Sequence, residues 1–403
     1  MDLDERYIAE IVKSLCQYPR TAGSPWNATV RQILVDRYRS LGFDVQVHKA
    51  KFVGWELVEW PWAEYLAPIK RPLADCLPVV WSGSTDEPIV GTITRAVEEI
   101  PSKLTTFEAY EWNCFPVVDQ KGGLKAVLLS NERDDRLVWP QPRDNDLDHL
   151  PYLLVATTEG IFIEQCLQAN IPVEICLSVA SRYLSDQVLS NVIAQQGSEP
   201  SIIVGSHYDS FFHTQGAHDN ASGTACLLYL ARILSALPLP DVRLVSFDAE
   251  EWNKLGAYRY VEALTNSGEI SRIKRVINID SVGIGESIYL LTTPDLEQSL
   301  TSAVENSGFL IEKTETESGT QLSVEPFNKR PRVTIRVAEK FPQFDSWPFM
   351  QKGIAVVQVG TFGEKPFPYW HDPRDIWPLI GSNGYQLIAE VAILVDGLLR
   401  NWR

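Results

Sequence analysis

The sequence predicts an α/β fold in which a mostly parallel, mixed β-sheet is flanked by helices and carries an inserted β-rich domain. After residue 190, short apolar runs alternate with stretches of helical apolar spacing, which is typical of a parallel sheet with crossover helices. Between residues 55 and 190, the pattern changes to short strands with more proline and tryptophan. A length of 403 residues allows two domains, or one large domain with an insertion.

The N-terminal residues 1–54 are predicted to belong to the same domain as residues 191–403. Apolar residues at helical spacing predict helices over 5–17 and 27–41, and Asn27 is a candidate cap for the second helix. The first fifteen residues carry acidic side chains where a signal peptide has basic ones, and they lack a continuous apolar core. We therefore expect a cytoplasmic protein.

The inserted β-rich domain is expected over residues 55–190. Short apolar runs such as Pro78–Trp81 and Ala126–Leu129 predict strands there. The segment 131–150 is dense in arginine and aspartate, and it is predicted to be a solvated surface loop.

From residue 191 onward the pattern alternates between strands and helices. The predicted elements are strand 201–206, helix 220–236, strand 242–247, helix 253–265, strands 275–279 and 287–292, helix 294–307, a strand near 331–336, helix 346–352, strand 354–358 and helix 382–400. In such sheets, ligands collect beyond the carboxyl ends of the strands. We therefore expect the functional residues directly after the predicted strands.

Composition excludes some classes of function. The chain has 36 basic and 52 acidic residues, a formal net charge of −16, and nucleic-acid binding needs a basic surface. No segment reaches the roughly 18 uninterrupted apolar residues of a membrane span, so no membrane partner is expected. The six cysteines are scattered without a Cys-x-x-Cys pair, and we expect them to be reduced, structural thiols.

Two histidines stand where metal ligands are expected. His207 follows the first predicted strand of the C-terminal part, and Asp209 comes two residues later. A carboxylate at that position can bind the other ring nitrogen and fix the tautomer. His371 lies in a loop after a later strand, again on the carboxyl side. Imidazole and carboxylate are the donors that a catalytic zinc site uses.

The acidic candidates also lie at predicted strand ends. Asp280 follows an apolar run, where a buried carboxylate needs a strong partner such as a metal ion. Asp219 precedes a predicted helix, so it is a candidate for either a ligand or a helix cap. The adjacent Glu250 and Glu251 repel each other unless a cation or a proton separates them. In a metal site, one of the two can be a ligand while the other acts as a base.

These segments resemble a known family, the co-catalytic two-zinc exopeptidases that include bacterial leucyl aminopeptidases, aminopeptidase Y and the glutamate carboxypeptidase II group. The resemblance covers most of the chain. Pro19–Ser24 with Asn27 is similar to the family's opening motif, Ser190–Ala194 is similar to the strand before the first ligand, and five ligand positions occur in the family's order. The resemblance implies a zinc-exopeptidase fold of the phosphorylase/hydrolase type.

The resemblance also implies a site with two zinc ions that share one ligand. Asp219 would bridge the two ions. His207 and Asp280 would complete one ion. Glu251 and His371 would complete the other. Cobalt or manganese also suits these ligands.

Catalytic roles follow from the same resemblance. Glu250 would be the general base, which takes a proton from a water shared by the two metals and delivers it to the leaving amine. Asp209 would orient His207, and Asp375 is expected to be structural. Relatives often show Ser-Asp-His where this chain has Phe344–Ser346. That segment lies where the family's substrate pocket forms, so the side-chain specificity stays open.

The leading interpretation is a zinc metallopeptidase, an aminopeptidase that hydrolyses N-terminal residues of short peptides. The alternatives are a dipeptidase or carboxypeptidase, a glutaminyl cyclase with one zinc, and a metal-free binding protein of the transferrin-receptor type. The presence of both His207 and Asp280 argues against the one-metal alternative, and the intact ligand set argues against the binding protein.

The inserted segment 55–190 resembles a protease-associated domain. The residues that carry this resemblance are Gln120–Leu129 and Pro151–Ala156, which are similar to strands of that module. The family role implied is a lid or a restriction on substrate size, and the alternative is a packing or oligomer surface.

Overall fold

The computed structural model describes residues 3–95, 100, 103–106, 110–131, 150–312, 331–361, 367 and 369–402. The predicted surface loop at 131–150 lies almost wholly outside the described residues. The chain divides into two compact units: a first unit made of Met1–Lys51 and Val188–Arg403, and a second unit made of Phe52–Gln187.

Eight α-helices lie in the described ranges. They are α1 (Leu3–Leu15), α2 (Pro25–Ser40), α3 (Thr157–Gln168), α4 (Gly223–Ala236), α5 (Leu255–Ser267), α6 (Glu297–Asn306), α7 (Trp347–Met350) and α8 (Gly381–Asn401). No helix among these residues is both long and apolar enough to cross a membrane.

The strands of the described residues run from one end of the chain to the other. They are β1 (Asp44–Ala67), β2 (Arg71–Pro72), β3 (Leu77–Pro78), β4 (Ile89–Ile93), β5 (Lys103–Thr106), β6 (Tyr110–Val118), β7 (Leu124–Asn131), β8 (Tyr152–Val155), β9 (Glu174–Gln195), β10 (Ile202–His207), β11 (Val242–Phe247), β12 (Arg275–Ile279), β13 (Ser287–Thr292), β14 (Ile311–Glu312), β15 (Arg332–Val337) and β16 (Ala355–Gly360).

The sheet of the first unit has the strand order β14, β15, β13, β16, β12, β10, β11, β9. The four central strands β11, β10, β12 and β16 are parallel to one another. Strand β9 is antiparallel to β11, and β13 is antiparallel to β16. The predicted mostly parallel, mixed sheet is therefore confirmed.

The central strands are apolar on both faces because helices cover both. In β10, Ile202 and Val204 pack in a core with α1, α2, α4 and α8. Ile203, which points the other way along the strand, packs with α5 and α7. Strands buried on both sides read as continuous apolar runs, which explains why the sequence pattern shows no alternation here.

Helix α2 begins at a serine cap. The Ser24 hydroxyl accepts a hydrogen bond from the Asn27 N–H at 3.2 Å, and Pro25 occupies the first helical position. The expectation that Asn27 caps this helix is therefore wrong, because Asn27 lies inside the first turn. Its buried Nδ2 instead donates to the Arg20 carbonyl at 3.1 Å and to Asp248 Oδ1 at 2.9 Å.

The second unit is rich in strands and has its own apolar core. Strand β4 pairs antiparallel with β6 and β9, β6 pairs antiparallel with β7, and β7 pairs parallel with β8. Phe115, Leu128, Leu153 and Ile175 are buried together in this core. Its similarity to a protease-associated domain stays a prediction.

Candidate metal centre

The predicted site residues converge at one edge of the first unit's sheet. Strand β10 ends at His207, and β11 is followed closely by Glu250 and Glu251. Strand β12 is followed directly by Asp280, and His371 lies in the loop after β16. These four strands are parallel neighbours, so their carboxyl ends bring the side chains together.

Asp219 is held in a tight turn rather than at a helix cap. It lies in a kinked turn, Ala217–Ser222, that precedes α4, and its own backbone angles, φ −111° and ψ 94°, are not helical. The next residue, Asn220, donates from Nδ2 to the Ile279 carbonyl at 3.0 Å and accepts at Oδ1 from the Ser281 N–H at 3.0 Å. These bonds tie the turn to the end of β12, where Asp280 lies.

The first donor set consists of His207, Asp219 and Asp280. His207 Nε2 lies 3.3 Å from Asp219 Oδ1 and 3.5 Å from Asp280 Oδ1. His207 is only 1% exposed, yet neither ring nitrogen forms a bond with hydrogen-bond geometry to any residue that the structure describes. Buried polar atoms of this kind need another partner.

The second donor set consists of Asp219, Glu251 and His371. His371 Nε2 lies 3.0 Å from Glu251 Oε2 and 3.8 Å from Asp219 Oδ2. Asp219 therefore directs one oxygen toward each donor set.

The donor atoms fit zinc in type and spacing. In each set the candidate ligand atoms lie within 4.8 Å of one another, and all the residues are buried. Zinc binds such donors at about 2.0–2.1 Å, so two ligands of a tetrahedral ion lie roughly 3.3 Å apart. The observed separations of 3.0–3.8 Å lie around that value. These two imidazoles and three carboxylates could therefore hold a pair of divalent cations.

Glu250 lies beside both donor sets. One of its carboxylate oxygens lies within 4.8 Å of a ring nitrogen of His207 and of a carboxylate oxygen of Glu251. Glu250 is 8% exposed, and in the part of the chain that the structure describes its carboxylate forms no hydrogen bond. Burial, with a further contribution from Glu251, raises the pKa of this carboxyl well above its usual value, and His207 and Lys254 act in the opposite direction. A raised pKa makes the ionised carboxylate a stronger base.

Asp209 links the first histidine to the acidic pair. Its Oδ1 lies 3.4 Å from His207 Nδ1 and accepts from the Glu250 N–H at 3.1 Å. Its Oδ2 accepts from the Glu251 N–H at 3.2 Å. The fully buried Asp209 thus positions the backbone of both glutamates in addition to facing the imidazole.

Several residues outside the donor sets fix the loops that carry them. Asp375 accepts from the backbone N–H groups of His218 and Asp219 at 2.9 and 3.1 Å. Arg20, also buried, donates to the carbonyls of Tyr208, Gln215 and Gly216 in the loop after β10. These bonds explain why the N-terminal motif and Asp375 accompany the ligands in the sequence.

His371 is packed between two aromatic rings. The Phe211 ring is parallel to the imidazole at 4.0 Å, and the Trp370 ring lies at 3.8 Å with a tilt of 26°. His371 also has a positive φ of 55°. The two rings restrict rotation of the imidazole, so its Nε2 edge stays directed at Glu251 and Asp219.

The crowding of buried carboxylates shifts the pKa values of the candidate ligands. Burial alone would raise the pKa of Asp219, but His207 and His371 lower it to about 2. Burial and the neighbouring Asp219 raise the pKa of Glu251 well above its usual value. Burial likewise raises the pKa of Asp280. The cluster is therefore short of positive charge, which divalent cations supply.

Sequence reasoning assigned no role in the site to four buried polar residues around this centre. His218 accepts from the Gly283 N–H at 3.2 Å, and burial lowers its pKa to about 4. Asp345 and Ser346 are fully buried, and their side-chain oxygens have no hydrogen-bond partner among the described residues. Lys254 lies at the start of α5. Only Asp345 and Ser346 could have been singled out from the sequence, because they stand where this chain departs from the Ser-Asp-His pattern of its relatives.

The fold and the site together define a class: α/β proteins with a metal centre of histidines and carboxylates at the carboxyl edge of a mostly parallel sheet. The sequence profile described as peptidase family M28 matches residues 191–395, half of the chain. The chain therefore belongs to peptidase family M28, a family of metallopeptidases, and the predicted exopeptidase family is confirmed.

Curated relatives match only in part. The aminopeptidase YwaD of Bacillus subtilis is 28% identical over 166 residues, which are 41% of this chain and 35% of the relative. An aminopeptidase of Pseudomonas aeruginosa is 32% identical over 149 residues, covering 35% of this chain and 26% of the relative. The matched segments thus span between about a quarter and about a third of these relatives.

Solved structures match over nearly the whole chain and show the fold. An aminopeptidase from Aneurinibacillus sp. strain AM-1 has a TM-score of 0.70 at 19% identity, covering 98% of this chain and 92% of that chain. BSAP, a zinc aminopeptidase from Bacillus subtilis, has a TM-score of 0.70 at 21% identity, covering 97% of this chain and 94% of that chain. The glutaminyl cyclase of Fimbriiglobus ruber has a TM-score of 0.52 at 14% identity, covering 100% of this chain and 97% of that chain.

Proposed function

We propose that this chain is an aminopeptidase that hydrolyses N-terminal residues of short peptides with the help of two zinc ions. The observation that carries the proposal is the pair of donor sets that share Asp219, with Glu250 beside both. The aminopeptidases among the relatives and the family membership support the same activity.

The donor chemistry supports a division of the ligands between two ions. His207, Asp219 and Asp280 would hold one ion, and the shared Asp219 with Glu251 and His371 would hold the second. Zinc bound there would lower the pKa of a coordinated water and polarise the carbonyl of the scissile bond. Cobalt or manganese could replace zinc, because carboxylate and imidazole suit them as well.

The protein's own residues would do the proton chemistry. Glu250, whose carboxylate forms no hydrogen bond to the described residues, is free to accept a proton from the attacking water. It would then deliver that proton to the leaving amine. Asp209 would hold the Glu250 backbone and face His207, so that base and ligand keep a fixed relation.

The alternatives from the sequence differ in what they require of the site. A glutaminyl cyclase with one zinc would not require a second complete donor set, and this chain has two. A metal-free binding protein would not require buried donors at ligand spacing. A dipeptidase or carboxypeptidase would use the same centre, so only the substrate distinguishes it from an aminopeptidase.

The experiment is a substrate panel with controlled metal content. The purified chain is stripped with a chelator and reloaded with zinc, cobalt or manganese. It is then assayed on leucine p-nitroanilide, N-acetyl-leucine p-nitroanilide, and free and N-blocked dipeptides. We expect metal-dependent cleavage of the free-amine substrates alone. Cleavage of N-blocked substrates, or metal binding without any hydrolysis, would contradict an aminopeptidase.

A further inference from the structure

Lys254 lies directly beside the proposed base. The chain turns sharply after β11, and the Lys254 N–H donates to the Glu250 carbonyl at 2.6 Å. Lys254 itself has a left-handed backbone conformation, with φ 60° and ψ 28°. This turn brings a lysine back toward Glu250 at the point where α5 begins.

Most of Lys254 is buried, and its side chain has no polar partner among the residues that the structure describes. The residue is only 6% exposed. Its ammonium forms no hydrogen bond or ion pair with any residue in the described ranges. The ammonium is not among the buried polar atoms that are closed to solvent, so it keeps contact with water. A mostly buried lysine whose charged end is open to solvent can be reached by a partner that arrives from outside.

The charge of Lys254 acts on the reaction site. It is close enough to Glu250 to favour the charged form of that carboxyl, although the two groups do not form an ion pair. The carboxylate of Glu250 and the ammonium of Lys254 are therefore neighbours, and neither forms a hydrogen bond or an ion pair with a residue that the structure describes. A base must face the bond that it helps to break, and the turn after β11 keeps Lys254 near that base, so a substrate that reaches Glu250 also comes near Lys254.

We propose that Lys254 is a specificity-determining residue that binds a carboxylate of the substrate close to the scissile bond. The inference rests on the proposed peptidase function and adds the substrate class, which is peptides with a negative charge next to the cleaved bond. An ammonium and a carboxylate form a charge-assisted hydrogen bond that is strongest where water is excluded. The carboxylate has two possible sources: the free C-terminus of a dipeptide, or an acidic side chain.

The test compares wild type with Lys254→Met, which removes the charge and keeps a long apolar side chain. Lys274→Met is the matched control, because Lys274 is exposed and lies at the opposite end of the sheet, just before β12. The substrates form two pairs: Leu-Ala with Leu-Ala-amide, and glutamyl with leucyl p-nitroanilide. The first pair reports on the terminal carboxylate, and the second on an acidic side chain.

We expect wild type and Lys274→Met to prefer the charged member of one pair. In Lys254→Met, the ratio of kcat/KM values for that pair falls by about 10- to 100-fold, through KM, as for a lost charge-assisted bond. Ratios that are the same in all three proteins would overturn the inference. So would an equal loss of kcat on every substrate, because Lys254 would then act only through Glu250.

A binding measurement separates this inference from the proposed function. Zinc-loaded Glu250→Gln and the double variant Glu250→Gln with Lys254→Met are titrated calorimetrically with the charged and the neutral member of each substrate pair. The inference predicts weaker binding of the charged peptide alone in the double variant. If wild type hydrolyses nothing, the proposed function fails, and this titration still decides the role of Lys254.

Discussion

Replacement of Glu250 by glutamine isolates the proton chemistry from the structure. Glutamine has nearly the same shape as glutamate, but it cannot accept a proton at neutral pH. The Glu250 carboxylate forms no hydrogen bond within the described residues, so the change removes no bond that holds the fold. The backbone N–H of residue 250 still donates to Asp209.

The size of the effect follows from this role. General base catalysis contributes about 10²- to 10⁴-fold to a rate, which is about 3–5 kcal/mol of barrier. We expect kcat to fall by that factor while KM changes little. The zinc content should stay that of wild type, because Glu250 is not among the proposed ligands. Thermal stability should be equal or slightly higher, because a buried charge is removed.

The assay measures kcat and KM on leucine p-nitroanilide, zinc by elemental analysis and the melting temperature, all on the same preparation. Asp86→Asn, an exposed acid of the second unit, serves as the control for charge. A variant that keeps more than about a tenth of wild-type kcat would refute the role of Glu250 as the base. Loss of zinc together with activity would show that Glu250 is a ligand.

Three further outcomes follow from the structure. Asp219→Asn should lower the zinc content more than any other single ligand change, measured by elemental analysis, because Asp219 alone belongs to both donor sets. Burial alone would raise the pKa of Glu159, but Arg71 at 2.6 Å outweighs it and lowers that pKa. The ion pair therefore stabilises the fold above the unfolded pKa of Glu159, about 4.5, and this stabilisation is lost as pH falls through the folded pKa. The free energy of unfolding of Glu159→Gln should therefore fall less steeply with decreasing pH than that of wild type, measured by urea denaturation between neutral and acid pH. Gly205→Ala would place a methyl 2.4 Å from the Phe247 ring and should cost about 1–3 kcal/mol in urea unfolding.

Much of the site could be predicted because it depends on strand ends. Parallel strands end at the same edge of a sheet, so His207, Glu251 and Asp280 follow from recognising three apolar runs. The sequence leaves Asp219 ambiguous between ligand and cap, since a local pattern cannot show that a kinked, non-helical turn precedes α4. The hydrogen bonds that fix this turn join Asn220 to Ile279 and Ser281 at the end of β12, about sixty residues away in sequence.

Other features depend on tertiary contacts that leave no local signal. Ser24 and Asn27 are both good capping residues, and only the position of Pro25 at the first helical position distinguishes them. His218 next to Asp219 gives no signal of its own. Lys254 reads as an ordinary surface lysine, because sequence does not show the left-handed turn that buries it.

The most direct test of the two-metal account is a crystal structure of the zinc-loaded protein with anomalous diffraction measured at the zinc edge. The account predicts two peaks: one among His207, Asp219 and Asp280, and one among Asp219, Glu251 and His371. A single peak, or peaks away from these residues, would contradict it.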